Sequence, residues 1–332
     1  MKYFLLKTGL FILSLFILYA ATWYVVTPEQ RELGNDYMAA MIDKHERADK
    51  IGSPKIILAG GSNIAFNINS ARVQDELNLP VVNIGLNVGL GLNFILEELK
   101  DISNENDIIF LFMTYFEDLD GMYALRKHTI EHYGRARKYH QFNLHEELII
   151  HTRDTKNNLR NKIVSGLLSV GSERQRAPNV IKNESVYTRS DFNEFGDFEG
   201  HHNLEQPEDL GQRFEFEYSF WEGIEPLNSF NAWAEKNNIQ VYYIFPAYPD
   251  TEFLKNKSVI KKFEDDLRQN LKMEILGEPK SFLLEENFFY DSIYHLNKDG
   301  REIRTSRFIC MIINHEMVLS SINEAIRLRK GT

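Results

Sequence analysis

Apolar positions along this chain gather into short dense runs, separated by stretches whose apolar residues recur every three or four positions. The run from Lys55 to Ala59 ends at Gly60-Gly61, which predicts a strand buried on both faces and running into a tight turn. Asn69-Ser70 then suits the cap of a helix, ARVQDELNL. Pro80 to Ile84 predicts a second strand, stopped by Gly85, and a leucine- and glutamate-rich helix follows to about Lys100. Asp107 to Met113 predicts a third strand. Three apolar runs separated by helices imply right-handed βαβ units and a parallel sheet covered on both faces, the α/β class. The pattern resumes late in the chain. A helix is expected over 226–238, a buried strand over 239–245 ended by Pro246, an amphipathic helix over VIKKFEDDLRQNLK, a short last strand at MEIL, and a long C-terminal helix with a break in it.

Two stretches depart from this alternation. Thr8 to Val26 carries no charge and is long enough, at ~1.5 Å per helical residue, to span a hydrocarbon core. Lys2 and Lys7 precede it and Glu29, Glu32 and Asp36 follow, so the positive-inside rule places the bulk of the chain outside the cytoplasm. Tyr19, Trp23 and Tyr24 stand near its outer end, where amphipathic rings favour the headgroup layer. Ala20 and Ala21 make only a poor cleavage site, so 1–27 is expected as a transmembrane signal anchor rather than a cleaved signal peptide. Residues 28–53 are expected as a helical stalk. From 122 to 215 the strand–helix alternation stops, and this stretch is expected as an insertion between two parts of one domain, 54–121 and 216–332.

Composition narrows the function. The chain has 332 residues, about two domains' worth or one enlarged domain, with 43% hydrophobic and 26% charged residues, an ordinary globular balance. A net charge of −10 repels phosphate backbones, so no nucleic-acid partner is expected. One cysteine, Cys310, excludes an intrachain disulfide framework and any cysteine-based metal site.

Two segments carry candidate chemistry. Gly60-Gly61-Ser62-Asn63 follows the first strand directly, and ligands of open α/β sheets bind at the carboxyl ends of strands. A serine on a glycine turn there has an exposed hydroxyl beside free backbone amides, which suits a nucleophile, although such a turn also serves as plain punctuation. The spacing of a nucleotide-cradling loop is absent. Near the C-terminus, Asp291-Ser-Ile-Tyr-His295 precedes the last helix. An aspartate shortly before a histidine accepts from one imidazole nitrogen and leaves the other to take a serine proton. Tyr115 and Glu117 follow the third strand and by position are expected to line the cleft and contact substrate.

Together, a strand-end serine early in the domain and an Asp/His loop before the final helix resemble the SGNH (GDSL-like) hydrolases and acyltransferases, in particular their membrane-anchored extracytoplasmic branch. The resemblance covers roughly 54–120 and 225–325. It implies a three-layer, flavodoxin-like fold with Ser62 as nucleophile, its own amide as one oxyanion donor, His295 as general base and Asp291 as its orienting carboxylate. Asn83-Ile-Gly85-Leu-Asn87-Val-Gly89 matches the second block, with the amide of Gly89, or else of Gly85, as the next donor. Leu296-Asn297 and Gly300 match the tail of the last block. The chain departs from the family twice. The third strand ends MTYFEDLD, without the asparagine that supplies a third donor, so Asn63 or Asn87 is expected to stand in. Asp291 and His295 are also one residue further apart than usual.

The resemblance implies a serine esterase or O-acyltransferase working through an acyl-enzyme on acyl, expectedly acetyl, esters of cell-envelope glycans, beside a membrane acyl-donor protein. The alternative is a catalytically silent SGNH-like binding or scaffold subunit of an envelope-modifying complex. No cofactor and no metal is expected. His132, His140, His145 and His151 gather in the insertion near Glu146 and Glu147, but no HExxH motif and no helical i,i+4 histidine pair is expected, so a solvated loop is the preferred reading. His201-His202 is read in the same way. The basic stretch Arg126 to Lys138 suits an anionic polymer or, preferably, a charged solvated face, and the aromatic FEFEYSFWEG over 214–223 suits a sugar platform or, preferably, core packing.

Overall fold

The structure, a computed structural model, describes residues 1–26, 34–140, 187–211 and 213–331. It divides into two compact units, one of 1–31 with 141–184 and one of 32–140 with 185–332. Of the first, only the helix α1 (Lys2–Val26) is described. Its side chains are described only in part, and among the described residues no helix is long and apolar enough to cross a membrane. Residues 27–33 and 141–186, which include His145, Glu146, Glu147 and His151, lie outside the described residues.

The second unit is built on a parallel five-stranded sheet of β1 (Ile56–Gly60), β2 (Val81–Asn83), β3 (Ile108–Phe112), β4 (Gln240–Ile244) and β6 (Glu274–Leu276), with β5 (Tyr248–Pro249) lying between β4 and β6 in sequence. The spatial order β2-β1-β3-β4-β6 is the doubly wound order with its switch point between β1 and β3. Registers run Ile56 against Val81 and Ile108, Ile108 against Gln240, and Tyr242 against Glu274. β1 and β3 are buried along their whole length, which is why they read as unbroken apolar runs rather than alternating ones. β5 pairs in parallel with β7 (Leu283–Leu284) in a separate two-stranded piece.

The sheet is covered on both faces. α3 (Ser62–Asn67) and α4 (Ser70–Leu77) pack against α9 (Lys298–Ile313), which in turn carries α10 (Glu316–Gly331). On the other side α5 (Leu92–Ile102) packs against α2 (Ala40–Ile51) and α7 (Ile224–Lys236), while α8 (Asp250–Asn270) lies beside β5 and β7. The expected long C-terminal helix does break, at Asn314-His315, where the amide of Asn314 bonds back to Cys310 and that of His315 to Ile312.

Two expectations about organisation need correction. The segment expected as a stalk does not stand clear of the domain. α2 buries Ala40, Met41, Lys44, His45 and Ala48 against the sheet layer, and His45 Nε2 meets Glu98 at 2.8 Å. The described parts of the expected insertion likewise belong to the domain. α6 (Tyr123–His132) and residues 187–211 pack within the same unit as the sheet. Their signature is polar, so apolar periodicity does not reveal it. Asp197, fully buried, accepts from Ser70 N at 2.8 Å, Asn83 Nδ2 at 2.8 Å and Arg301 Nη2 at 3.0 Å, and also from the Ser70 hydroxyl. One carboxylate thus joins the start of α4, the end of β2, the 187–204 segment and α9.

Removing one partner of a buried charged pair leaves the other desolvated and unpaired. Asp197→Ala is therefore expected to cost about 3–5 kcal/mol, read as a lower urea midpoint, whereas Glu199→Ala, whose carboxylate is more exposed, should cost well under 1 kcal/mol.

Candidate active site

β1 delivers the chain to the carboxyl edge of the sheet, and Gly60-Gly61 turns it into α3 with Ser62 as the first helical residue. The turn requires glycine. A Cβ on Gly60, at φ +154°, would lie 2.4 Å from the Phe112 carbonyl oxygen, and one on Gly61 would lie 2.7 Å from Val88 N. The first turn of a helix has no internal acceptors for its amides, so the N–H groups of Ser62 and Asn63 bond to no described group. Ser62 itself is half-buried.

The C-terminal loop brings the other two groups to it across 233 residues of sequence. His295 Nε2 lies 2.8 Å from Ser62 Oγ, and His295 Nδ1 lies 2.7 Å from Asp291 Oδ1. The four-residue spacing closes without strain on the pair, because Tyr290 N donates to the His295 carbonyl at 2.8 Å and His295 N to that of Ser292 at 3.2 Å. With its carboxylate on Nδ1, the imidazole presents a free lone pair at Nε2 to the serine hydroxyl.

Three residues that the sequence did not single out hold this geometry. Asn67, fully buried at the far end of α3, donates from Nδ2 to the Tyr294 carbonyl at 2.8 Å and accepts the Leu296 amide on Oδ1 at 2.7 Å, clasping the backbone on both sides of His295. Phe66 stacks on the imidazole at 4.0 Å between centroids and 11° between planes. Tyr187 donates its hydroxyl to Asp291 Oδ2, the carboxylate oxygen that His295 does not use. In the tail of the loop, Asn297 caps α9 by accepting from Gly300 N at 3.0 Å.

The expected oxyanion donors are rearranged. Gly85 N is taken by the Asn83 side chain at 3.0 Å and Gly89 N by the Asn87 side chain at 2.8 Å, so neither glycine amide is free for a substrate. Asn63 is buried and donates its Nδ2 to the Phe112 carbonyl at 2.9 Å, tying the start of α3 to the end of β3. Among the amides left are those of Ser62, Asn63 and Val88, the last with its backbone against Gly61; Val88 N donates to no described group. Asn87 spends its Oδ1 on Gly89, and its Nδ2 likewise donates to no described group. A contribution from Val88 escapes sequence reading because every non-proline residue has the same amide.

Tyr115 and Glu117, expected to contact substrate, are instead buried, at 4% and 3% exposure. The Tyr115 ring packs on Tyr248 and Phe263, and Glu117 accepts the Thr114 amide and hydroxyl at 3.1 Å each. Phe116, at φ +52°, kinks the chain between them and breaks the outward alternation that the position after a strand suggests. The basic stretch is partly paired and partly solvated: Arg135 pairs with Asp101 at 2.7 Å and Asp49 at 3.0 Å, Lys138 with Asp101 at 3.0 Å, and Arg137 and Lys138 are exposed. The 214–223 aromatics divide, with Trp221 buried and Phe214, Tyr218 and Phe220 exposed. His201, buried and held near a pKa of about 3 by desolvation, places Nε2 2.9 Å from the Leu296 carbonyl and stays neutral.

No protein-family model matches the chain, and no curated protein matches it.

Loss of the Asn67 carboxamide orphans a buried donor and a buried acceptor, at roughly 1–3 kcal/mol each. Asn67→Ala should therefore lower the melting temperature and slow modification of Ser62 by a fluorophosphonate, while Asn69→Ala, whose side chain caps α4, should affect melting alone. A second expectation concerns pH. Burial raises the Glu117 carboxyl from 4.5 to about 7, against the lowering effect of its two bonds from Thr114. Between those values the unfolded chain ionises while the folded chain keeps its proton, so folding stability falls as pH rises. Across that window the wild type should lose about 3 kcal/mol relative to Glu117→Gln in denaturant titrations, and parallel pH profiles would refute the assignment.

Proposed function

We propose that this chain is a serine O-acyltransferase or esterase with an SGNH-like domain, acting on acyl esters of cell-envelope glycans, acetyl esters being the expected case. The observation that carries the reading is the relay from Asp291 through His295 to Ser62, with both links within hydrogen-bond reach at 2.7 and 2.8 Å. As the Ser62 hydroxyl attacks an ester carbonyl carbon, His295 Nε2 takes its proton, and Asp291 stabilises the imidazolium that forms. The oxyanion develops against the amides of Ser62 and Val88, with the Asn87 carboxamide as the third donor. Collapse expels the alcohol, protonated by His295, and leaves acyl-Ser62. Water or a sugar hydroxyl, deprotonated by the same imidazole, then takes the acyl group.

Membrane attachment through 1–27, with the domain outside the cytoplasm and an acyl-donor protein beside it, is part of the proposal. It is supported by the uncharged stretch Thr8 to Val26, with Lys2 and Lys7 before it and Glu29, Glu32 and Asp36 after it. A tethered enzyme meets surface-bound substrate at raised effective concentration. The exposed rings of Phe214, Tyr218 and Phe220 favour a sugar acceptor, since aromatic faces stack on sugar rings. The silent-scaffold alternative rested on a stretched Asp–His spacing and a missing asparagine; the closed loop and the unspent Asn87 amide weigh for the active reading.

A serine-directed fluorophosphonate should label the wild type and not Ser62→Ala, and labelling unchanged in that variant excludes Ser62 as the nucleophile. On an acetylated chromogenic ester, Asp291→Asn should lower kcat about 10⁴-fold at unchanged melting temperature.

A further inference from the structure

Away from this site, two histidines and an aspartate converge where the described domain begins. His128 and His132 stand one turn apart on α6, an i,i+4 pair that corrects the expectation of none. Asp36 reaches them from the segment that leads into α2. Its Oδ2 lies 2.9 Å from His128 Nε2 and 3.7 Å from His132 Nε2, and all three ligand atoms lie within 4.8 Å of one another. The three are unequally buried: His132 is nearly closed off, while Asp36 and His128 remain about a third or more exposed, which leaves an open side.

We propose that Asp36, His128 and His132 bind a single zinc-class divalent ion, with the fourth position open to water. Oxygen and nitrogen ligands sit ~2.0–2.2 Å from zinc, so adjacent ligands of a tetrahedral site lie ~3.3 Å apart, and the separations of 2.9 and 3.7 Å bracket that value. Two imidazoles and one carboxylate suit zinc-class ions, whereas calcium and magnesium want oxygen cages. The site also has an outer shell. Asp36 Oδ1 accepts the Met38 amide at 2.9 Å, which turns Oδ2 towards the histidines, and Glu131 is drawn aside to Lys127 at 3.6 Å. An ion here ties α6 to the first residues of the domain. It stands one residue from Tyr37, whose hydroxyl bonds the Leu86 carbonyl and whose ring packs edge-on to Tyr187, the partner of Asp291. Its part is to brace that segment rather than to meet substrate.

The test uses the full-length, tag-free chain in detergent, stripped with chelator and titrated with Zn²⁺ by calorimetry and with Co²⁺ by visible absorption. The expected result is one ion per chain, tetrahedral Co²⁺ absorption, and a melting temperature raised by Zn²⁺ but not by Mg²⁺. His128→Ala and His132→Ala should each weaken Zn²⁺ by more than the ~10–100-fold that loss of an outer-shell partner costs. His128→Ala, at a half-exposed position, should melt as the metal-free wild type does, which separates loss of binding from loss of fold. Absence of saturable Zn²⁺ binding to the wild type, or binding of undiminished affinity in the His128→Ala/His132→Ala double variant, overturns the proposal.

Discussion

The clasp of Asn67 on the backbone either side of His295 is the interaction on which the site depends. A carboxamide offers a donor and an acceptor in one rigid plane, and here each is spent on the same loop, one residue before and one after the imidazole. Asn67 lies on the same short helix as Ser62, so the helix that carries the hydroxyl also sets the height of its partner. Side-chain contacts alone, over a separation of 233 residues, would leave the imidazole free to slide by an ångström, enough to lose a hydrogen bond. Phe66, between the two on α3, fixes the ring plane by stacking on it.

Beneath that helix the domain is held by polar contacts as much as by apolar burial. Asp197 gathers bonds from the start of α4, the end of β2 and α9, while Asn83 gives Nδ2 to both Asp197 and the Ile64 carbonyl within α3. These bonds sit on the β2 side of Ser62, and their satisfaction is what makes a buried network stabilising rather than costly. They also explain why a segment outside the strand–helix alternation is nevertheless part of the core.

The sheet and the trio of Ser62, Asp291 and His295 were legible for one reason: burial on both faces writes a strand as an apolar run, and a serine or an Asp/His pair at its carboxyl edge stands out against it. What was not legible was carried by backbone or by tertiary exchange. Gly85 and Gly89 read as donors because glycine permits close approach, yet Asn83 and Asn87 reach back two residues and take those amides, a local competition that spacing alone does not reveal. Val88 has no distinguishing side chain for the task. The position after the strand points Tyr115 and Glu117 outward, and the positive φ of Phe116 turns them in.

The two flanks of His295 consequently differ in kind. Towards β2 the buried groups of Asn67, Asp197 and Asn83 are bonded several times over. Towards β3 and β4, the hydroxyls of Tyr115 and Tyr243 and Oε1 of Glu117 are buried without a hydrogen-bond partner among the described residues. Tyr294, the residue before His295, packs on Tyr248 at 5.5 Å and joins the two flanks. Rigidity on the Asn67 side fixes the serine–imidazole distance, and Tyr294 carries the same backbone onto the aromatic packing of the other.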